Sequence, residues 1–428
     1  MLSPERAGLD SDLAVRGDDR VSGRRNVYYV GSFRFPDGDA AAARVLGTAR
    51  ALRDAGARVV FGGWEKNGRV EDLQADGTYR FDRFLYFPQA DLRHMHLSPA
   101  RRLAAGLFAG KNTLRWLMSQ PIQPGDVIIA YHGGAWFLSR LWHWCQIRNL
   151  RLVLDLTEWY SPRQLPGGRL GPAWWDSEIG MRFVKPKAER IMAISSYLQR
   201  YYASKGCAVL RVPPLIDLQN PRWIPIGRTP PERAPLRLAY AGVPGRKDLL
   251  VNVLRGLATL REPDEAVVLN LFGPSRESLV QVVPESAHWL SLLGERVVFH
   301  GSVPQSDVPR RLMESHFTVL LRRDERYARA GFPTKIVESL GAGVPVITNP
   351  SSDLTLYIQD GKEGVLLADE SSEAFASGVR RLMALGPATW LNMRAAARQR
   401  AEISFDYRRH IEPIRQFVLE VDHRTPSA

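Results

Sequence analysis

The segment RRDERYARAGFPTKIVESLGAGVPVITN (322–349) gathers the residue types that hold an anion. A strand-like run, HFTVLL (316–321), ends just before it, and Gly331 lies in the loop that follows. Pro333 falls at the expected first position of a helix. Ile336, Val337 and Leu340 form its buried stripe, and Gly341 and Gly343 close it. The start of such a helix offers unpaired amides and a positive dipole end, so the turn Gly331–Lys335, with Thr334 inside it, is a ready phosphate site. Glu338 lies one turn further on, where a carboxylate accepts hydrogen bonds from a diol such as a ribose. Lys335 and Glu338 also have the spacing of an ordinary i,i+3 surface pair, and spacing alone does not choose. A second basic point lies in LAYAGVPGRKDLLVNVLRGLA (238–258). There a strand ends at Gly242, and Arg246 and Lys247 precede a helix with Leu249, Val253 and Leu257 inward. Cations beside a positive helix end are disfavoured, and a bound anion would offset that conflict. Arg322, directly after HFTVLL, is a third phosphate candidate.

The first half of the chain contributes polar residues at strand ends. In GSFRFPDGDAAAARVLG (31–47), Gly38 allows close backbone approach, Asp39 suits a helix cap, and Arg44 is placed to project toward a cleft. YHGG (131–134) presents His132, and DLTEWYSP (155–162) presents Asp155 and Glu158. Glu158 is the strongest candidate to orient or deprotonate an acceptor hydroxyl, with a turn-capping carboxylate as the plainer alternative.

These residues need elements to hold them. Strand-like NVYYVG (26–31), ARVVFGG (57–63), DVIIAY (126–131), LRLVLDL (150–156) and ERIMAIS (189–195) alternate with helical stretches, the first at 40–55. After a Pro-rich break at 211–235 the alternation restarts with LRLAYAG (236–242), AVVLNLFG (266–273), RVVFHG (296–301), HFTVLL and VPVITN (344–349). Turn-bounded apolar runs separated by helices predict an α/β chain of two doubly wound, Rossmann-like domains. Ligands in such sheets bind at the carboxyl ends of strands, which here means the cleft between the domains. The expected boundaries are a mobile tail (1–25), a first domain (26–215), a linker (216–235), a second domain (236–403) and a returning C-terminal helix (404–421).

Composition narrows the partners. The 428 residues carry 58 Lys+Arg against 45 Asp+Glu, a formal charge of +13, and all but eight of the basic residues are arginine. Such an excess attracts nucleic acid, anionic lipid or phosphorylated small molecules. Cys145 and Cys207 cannot build a disulfide framework, and no apolar run is long enough to span a bilayer. The N-terminus lacks the apolar core of a secretion signal, so a cytoplasmic location is expected. Residues 92–125 contain no acid but hold Arg93, Arg101, Arg102, Lys111 and Arg115 interleaved with Leu114, Trp116 and Leu117. That pattern suits an anionic membrane surface at the inner face of the cell membrane, unless the apolar face packs on its own sheet.

GFPTKIVESLGAGVPVITN resembles the donor-binding signature of the retaining glycosyltransferases of family 4, which have the two-domain GT-B fold; its F-P-x-K-x-x-E form resembles a bacterial surface-polysaccharide subgroup. In that family two glutamates eight positions apart bracket a segment that contacts a nucleotide-sugar, which implies donor-binding roles for Gly331, Phe332, Pro333, Thr334 and Lys335. The second glutamate, used on the ribose, matches Glu338; the first, used on the donor sugar, falls on Ala330. The resemblance also puts the donor diphosphate near Gly38, Gly242, Arg246, Lys247 and Arg322, and acceptor-side residues at Arg44, His132, Asp155 and Glu158. The implied activity is metal-independent transfer of a sugar from a nucleotide-diphosphate sugar, with retention, to a carbohydrate or lipid-linked saccharide. Glu158 and Lys247 are the implied catalytic pair, and no cofactor is needed beyond the donor. Three other readings stay open. A dinucleotide-dependent oxidoreductase lacks its G-x-G-x-x-G, and a nucleic-acid binder lacks an aromatic basic motif or zinc spacing. A degenerate transferase serving as a binding partner is kept by Ala330.

Overall fold

The computed structural model describes residues 24–91, 108–224, 235–242, 247–261 and 266–420. The expected tail (1–23), most of the basic stretch (92–107), part of the linker (225–234) and Arg246 lie outside the described residues.

Eight strands make the first sheet: β1 (Asn26–Gly31), β2 (Arg58–Gly63), β3 (Tyr79–Phe81), β4 (Phe84–Tyr86), β5 (Val127–Tyr131), β6 (Arg151–Leu156), β7 (Arg190–Ala193) and β8 (Ala208–Arg211). Their order is β3-β4-β2-β1-β5-β6-β7-β8, parallel except for the β3–β4 pair. Continuous apolar runs such as VIIAY in β5 are buried along their whole length, as a parallel sheet covered on both faces requires. The second sheet comprises β9 (Leu236–Ala241), β10 (Val267–Phe272), β11 (Val297–Gly301), β12 (Phe317–Leu320), β13 (Val346–Thr348) and β14 (Gly364–Leu366). It is wholly parallel in the order β11-β10-β9-β12-β13-β14.

Strand order reverses between β1 and β5 in one sheet and between β9 and β12 in the other. These are the switch points where doubly wound sheets open a crevice. Gly31 and Gly242 end the first strand of each sheet with φ of +133° and +129°. A Cβ on Gly31 would lie 2.2 Å from the Tyr131 carbonyl oxygen, and one on Gly242 would lie 2.5 Å from Lys335 Cε. Only glycine gives the chain room to turn at these two points.

The helix Ile411–Leu419 returns to the first domain and packs against the helix Ala40–Asp54, burying Ile414 and Val418 in that domain's core. Its last carbonyls accept hydrogen bonds from Arg25, Arg151 and Arg190, cations that complement the negative helix end. The described part of the expected linker is fastened: Trp223 is buried, and the Arg398 guanidinium donates to the carbonyls of Leu218, Trp223 and Gly341.

For the basic stretch the structure decides between the two readings of its apolar face. In the helix Lys111–Ser119, Leu114, Trp116 and Leu117 are core residues of the first domain, so this apolar face is not available to lipid. Lys111, Arg115, Met118 and Ser119 are the exposed positions. Among the described residues no helix is long and apolar enough to cross a membrane.

Candidate active site

A cleft of about 610 Å³ lies between the two sheets, lined from both switch points. The second domain supplies the cations. After β9, Lys247 and Asp248 precede the helix Leu250–Ala258, and Asp248 bridges to Arg322 at the end of β12. Asp248 is buried and accepts hydrogen bonds from Arg322 Nε (2.7 Å), from the Tyr240 hydroxyl (2.8 Å) and from Lys335 Nζ. Burial alone would raise its pKa, but Arg322 and Lys335 prevail and hold it at about 2. One buried carboxylate thus fixes two cations on this wall of the cleft. Lys335 also donates to the Tyr240 hydroxyl at 2.8 Å. Its partner is therefore Asp248, not Glu338, which disposes of the surface-pair alternative.

The helix Thr334–Gly341 begins one residue later than expected, with Pro333 in extended conformation and no side chain capping its first amides. Gly331, Pro333, Thr334 and Lys335 all line the cleft. Phe332 borders it too, but its ring packs against Tyr357 and Phe405, so its side chain serves the core rather than a donor. Ala330, in the place of the first glutamate, is fully buried, and its carbonyl accepts from Ser195 Oγ at 2.8 Å. Glu338 is half-buried beside Gln305; burial pushes its pKa up, against the opposing charges of Arg222 and Lys335. It lies beyond the residues that line the cleft proper.

On the first-domain side, Glu158 meets Lys247 across the cleft at 3.0 Å. Burial would raise the Glu158 pKa, but Lys247 and a hydrogen bond from Tyr160 bring it below the ordinary carboxylate range. It is not a turn cap. The Lys247 ammonium also faces the rings of Tyr160 (5.4 Å) and Tyr327 (5.9 Å). His132 follows β5 with φ of +50°, and its Nε2 accepts from the Thr157 amide at 3.2 Å, which leaves the proton on Nδ1. Burial, aided by the charge of Lys185, lowers its pKa to about 3, so the ring is neutral near pH 7.

Three expectations are corrected. Asp155 is fully buried and bound by Arg44 (2.6 Å) and by the Tyr29 hydroxyl, so it presents no free carboxylate to an acceptor. Arg44 borders the cleft, but its guanidinium is consumed by Asp155 and by the carbonyls of Val212 and Pro213. Gly38 does not line the cleft; a Cβ there would lie 2.7 Å from Arg34 Cβ, so the glycine serves its own turn. Asp39 does cap its helix, accepting from the Ala42 amide at 2.8 Å.

Sequence reading passed over Asp248, Tyr240, Tyr327, Lys185 and Asp176. An acid directly after Lys247 was visible, but only the adjacency of β9 and β12 shows that it collects Arg322 and Lys335. Among the described residues no group of three or more His, Cys, Asp or Glu side chains is placed to hold a metal ion. This part of the cleft sets Lys247, Arg322 and Lys335 against Asp248 and Glu158, a local surplus of one positive charge.

Asp248→Asn is expected to cost about 3 kcal/mol, because it leaves two cations facing each other without their shared counter-charge. The native pKa lies below the unfolded value of 3.8, so this stabilisation is complete above about pH 4 and fades as pH falls toward 2. Denaturation at pH 7 and pH 3 should show the variant weakened at the first and closer to wild type at the second. An unchanged acid limb would remove Asp248 from this role.

Residues 237–384 match the family model described as Glycosyl transferases group 1. No curated protein matches the chain. Among solved structures, sucrose-phosphate synthase from Thermosynechococcus elongatus superposes with a TM-score of 0.70 at 15% identity, covering 92% of this chain and 98% of that one. Anabaena HepE in complex with UDP-glucose gives a TM-score of 0.61 at 15% identity, covering 91% and 98%. The lipopolysaccharide outer core galactosyltransferase WaaB gives 0.61 at 14%, covering 92% and 98%. At such identities these structures establish a shared fold, with both domains included. A group 1 glycosyltransferase domain thus spans the cation wall, and the chain as a whole has the GT-B fold.

Proposed function

We propose that the protein transfers a sugar from a nucleotide-diphosphate sugar to an acceptor hydroxyl with retention of configuration, in bacterial polysaccharide or glycolipid assembly. The observation that carries this reading is the convergence of Lys247, Arg322, Lys335 and the uncapped helix start at Thr334 on one wall of the cleft. Cleaving the sugar–phosphate bond builds negative charge on the departing diphosphate, and fixed cations and amides meet it without reorganising. UDP is the favoured nucleotide, since HepE structures of the same fold carry UDP and UDP-glucose. Glu338 takes the ribose. The acceptor hydroxyl attacks from the leaving-group face, a donor phosphate oxygen takes its proton, and Glu158 orients it. The wall of protein cations makes a resident metal unnecessary. Lys111 and Arg115, exposed on one helix face, suit a lipid-linked acceptor at an anionic membrane.

Thermal-shift measurement with UDP, GDP, ADP, dTDP and their sugars tests the donor side, since a ligand that binds only the native state raises its melting point. The expected result is stabilisation by UDP and a UDP-sugar, turnover insensitive to EDTA, and a product whose anomeric proton coupling by NMR matches the donor. No stabilisation by any nucleotide would overturn the reading. The absence of both hydrolysis and transfer, with nucleotide bound, would favour a degenerate transferase, the reading Ala330 keeps open.

A further inference from the structure

Lys185 lines the cleft on the first-domain side, away from the donor wall, and nothing in the proposed transfer uses it. Its side chain is buried, with 5% of the residue exposed. Among the described residues its ammonium has one polar contact, the Met181 thioether at 2.9 Å, and no ion-pair partner. An ammonium group buried without acceptors is costly unless something else satisfies it. The carboxylate whose charge acts on it is Asp176. That group is committed elsewhere, its Oδ1 accepting from the Ala135 amide at 2.9 Å at the start of the helix Ala135–Ile147.

The local backbone is built around this placement. The helix Pro172–Ile179 runs into a π turn, Gly180–Val184, whose wider winding changes the direction of the following residue. The winding then tightens into a 3-10 turn, Lys185–Ala188, with Pro186 near its start. Trp64 also lines the cleft, and its buried Nε1 has no partner. Two buried donors, one charged with only a thioether as acceptor and one with no acceptor, border one cavity.

We propose that Lys185 anchors an acceptor-side anion subsite, taking a phosphate or carboxylate carried by the acceptor, with the Trp64 indole N–H as a second donor. This rests on reading the first-domain half of the cleft as the acceptor side. A charged oxygen ligand is required because a neutral hydroxyl would not offset the desolvation of a buried ammonium. His132, which also lines the cleft, feels the charges of both Lys185 and Lys247.

The test is calorimetric titration of the full chain saturated with UDP, which fills the donor phosphate wall. The probes are glucose 6-phosphate, glucuronate, farnesyl diphosphate and neutral glucose. Wild type is expected to bind the anions. Lys185→Met should weaken them roughly 10–100-fold, the scale of a lost charge-assisted hydrogen bond, and Lys185→Arg should lose less. Preference for farnesyl diphosphate assigns the anion to a lipid carrier, and preference for the sugar anions assigns it to the saccharide. Lys185→Met should also melt higher than wild type, since it replaces an unpaired buried charge by an apolar chain; a merely structural lysine would melt lower. Anion binding absent from wild type, unchanged in Lys185→Met, or matched by an equal loss for neutral glucose would overturn the proposal. If UDP itself fails to bind, the donor reading falls. The same titrations without nucleotide still compare Lys185→Met with wild type and judge this site separately.

Discussion

Replacing Lys247 by alanine should lower nucleotide-sugar turnover by roughly 10²–10³-fold, the scale of removing one preorganised group that meets developing negative charge. The three cations of the donor wall are not equivalent. Arg322 and Lys335 are both tied to Asp248, so their charges are partly spent and their positions rigid. Lys247 is more exposed, and its carboxylate partner, Glu158, belongs to the opposite domain. An arriving diphosphate competes with Glu158 for this ammonium, which both recruits Lys247 to the leaving group and frees Glu158 to face the acceptor. Lys247→Ala should therefore lower kcat more than it weakens nucleotide affinity, because Arg322, Lys335 and the helix amides still hold the ground-state diphosphate. Lys247→Arg should retain part of the rate. Steady-state kinetics with a UDP-sugar, paired with UDP titration, separates the two effects. Turnover unchanged in Lys247→Ala would remove this residue from the reaction.

The parts of this site that were legible in the sequence are those set by local pattern. Strand ends, the helix start at Pro333–Thr334 and the glycine turns at Gly31 and Gly242 all follow from apolar runs and backbone chemistry within a few residues. The four strands that escaped, the antiparallel end pair β3 and β4 and the edge strands β8 and β14, are three or four residues long, whereas the equally short β7, β12 and β13 lie inside and sit in longer apolar runs. The misread side chains share another cause. Arg44 and Asp155 each stand beside a strand or helix end that faces the cleft, but they lie 111 positions apart and quench each other. Asp248 gains its role only from a strand order that sequence does not display. Lys185 was invisible because a lysine between Val184 and Pro186 gives no hint of burial. Long-range pairing between charged groups decides whether a polar residue serves a ligand or the interior, and that pairing is a property of topology.

Asp155→Ala should cost about 3–5 kcal/mol of first-domain stability, the expected penalty for stripping a buried cation of its partner. Arg44 and Asp155 have side chains 2% and 0% exposed, and the pair joins through both Nε and Nη2 of the guanidinium. The remaining donor, Nη1, reaches the carbonyls of Val212 (2.9 Å) and Pro213 (3.3 Å), while the Tyr29 hydroxyl completes the carboxylate. One ion pair thus ties β1, the first helix, β6 and the start of the interdomain connection directly beneath the cleft. A single deletion leaves either a guanidinium or a carboxylate without water or counter-charge. Replacing both partners by apolar residues, as in Arg44→Met with Asp155→Leu, removes both desolvation costs together and should recover most of the loss. A double-mutant cycle in chemical denaturation therefore predicts strong coupling between the two sites. If instead Asp155→Ala left stability within about 1 kcal/mol of wild type and raised the acceptor KM, the carboxylate would be a ligand contact after all. The burial of both groups favours the first result, because an acceptor hydroxyl reaching Asp155 would first have to displace Arg44.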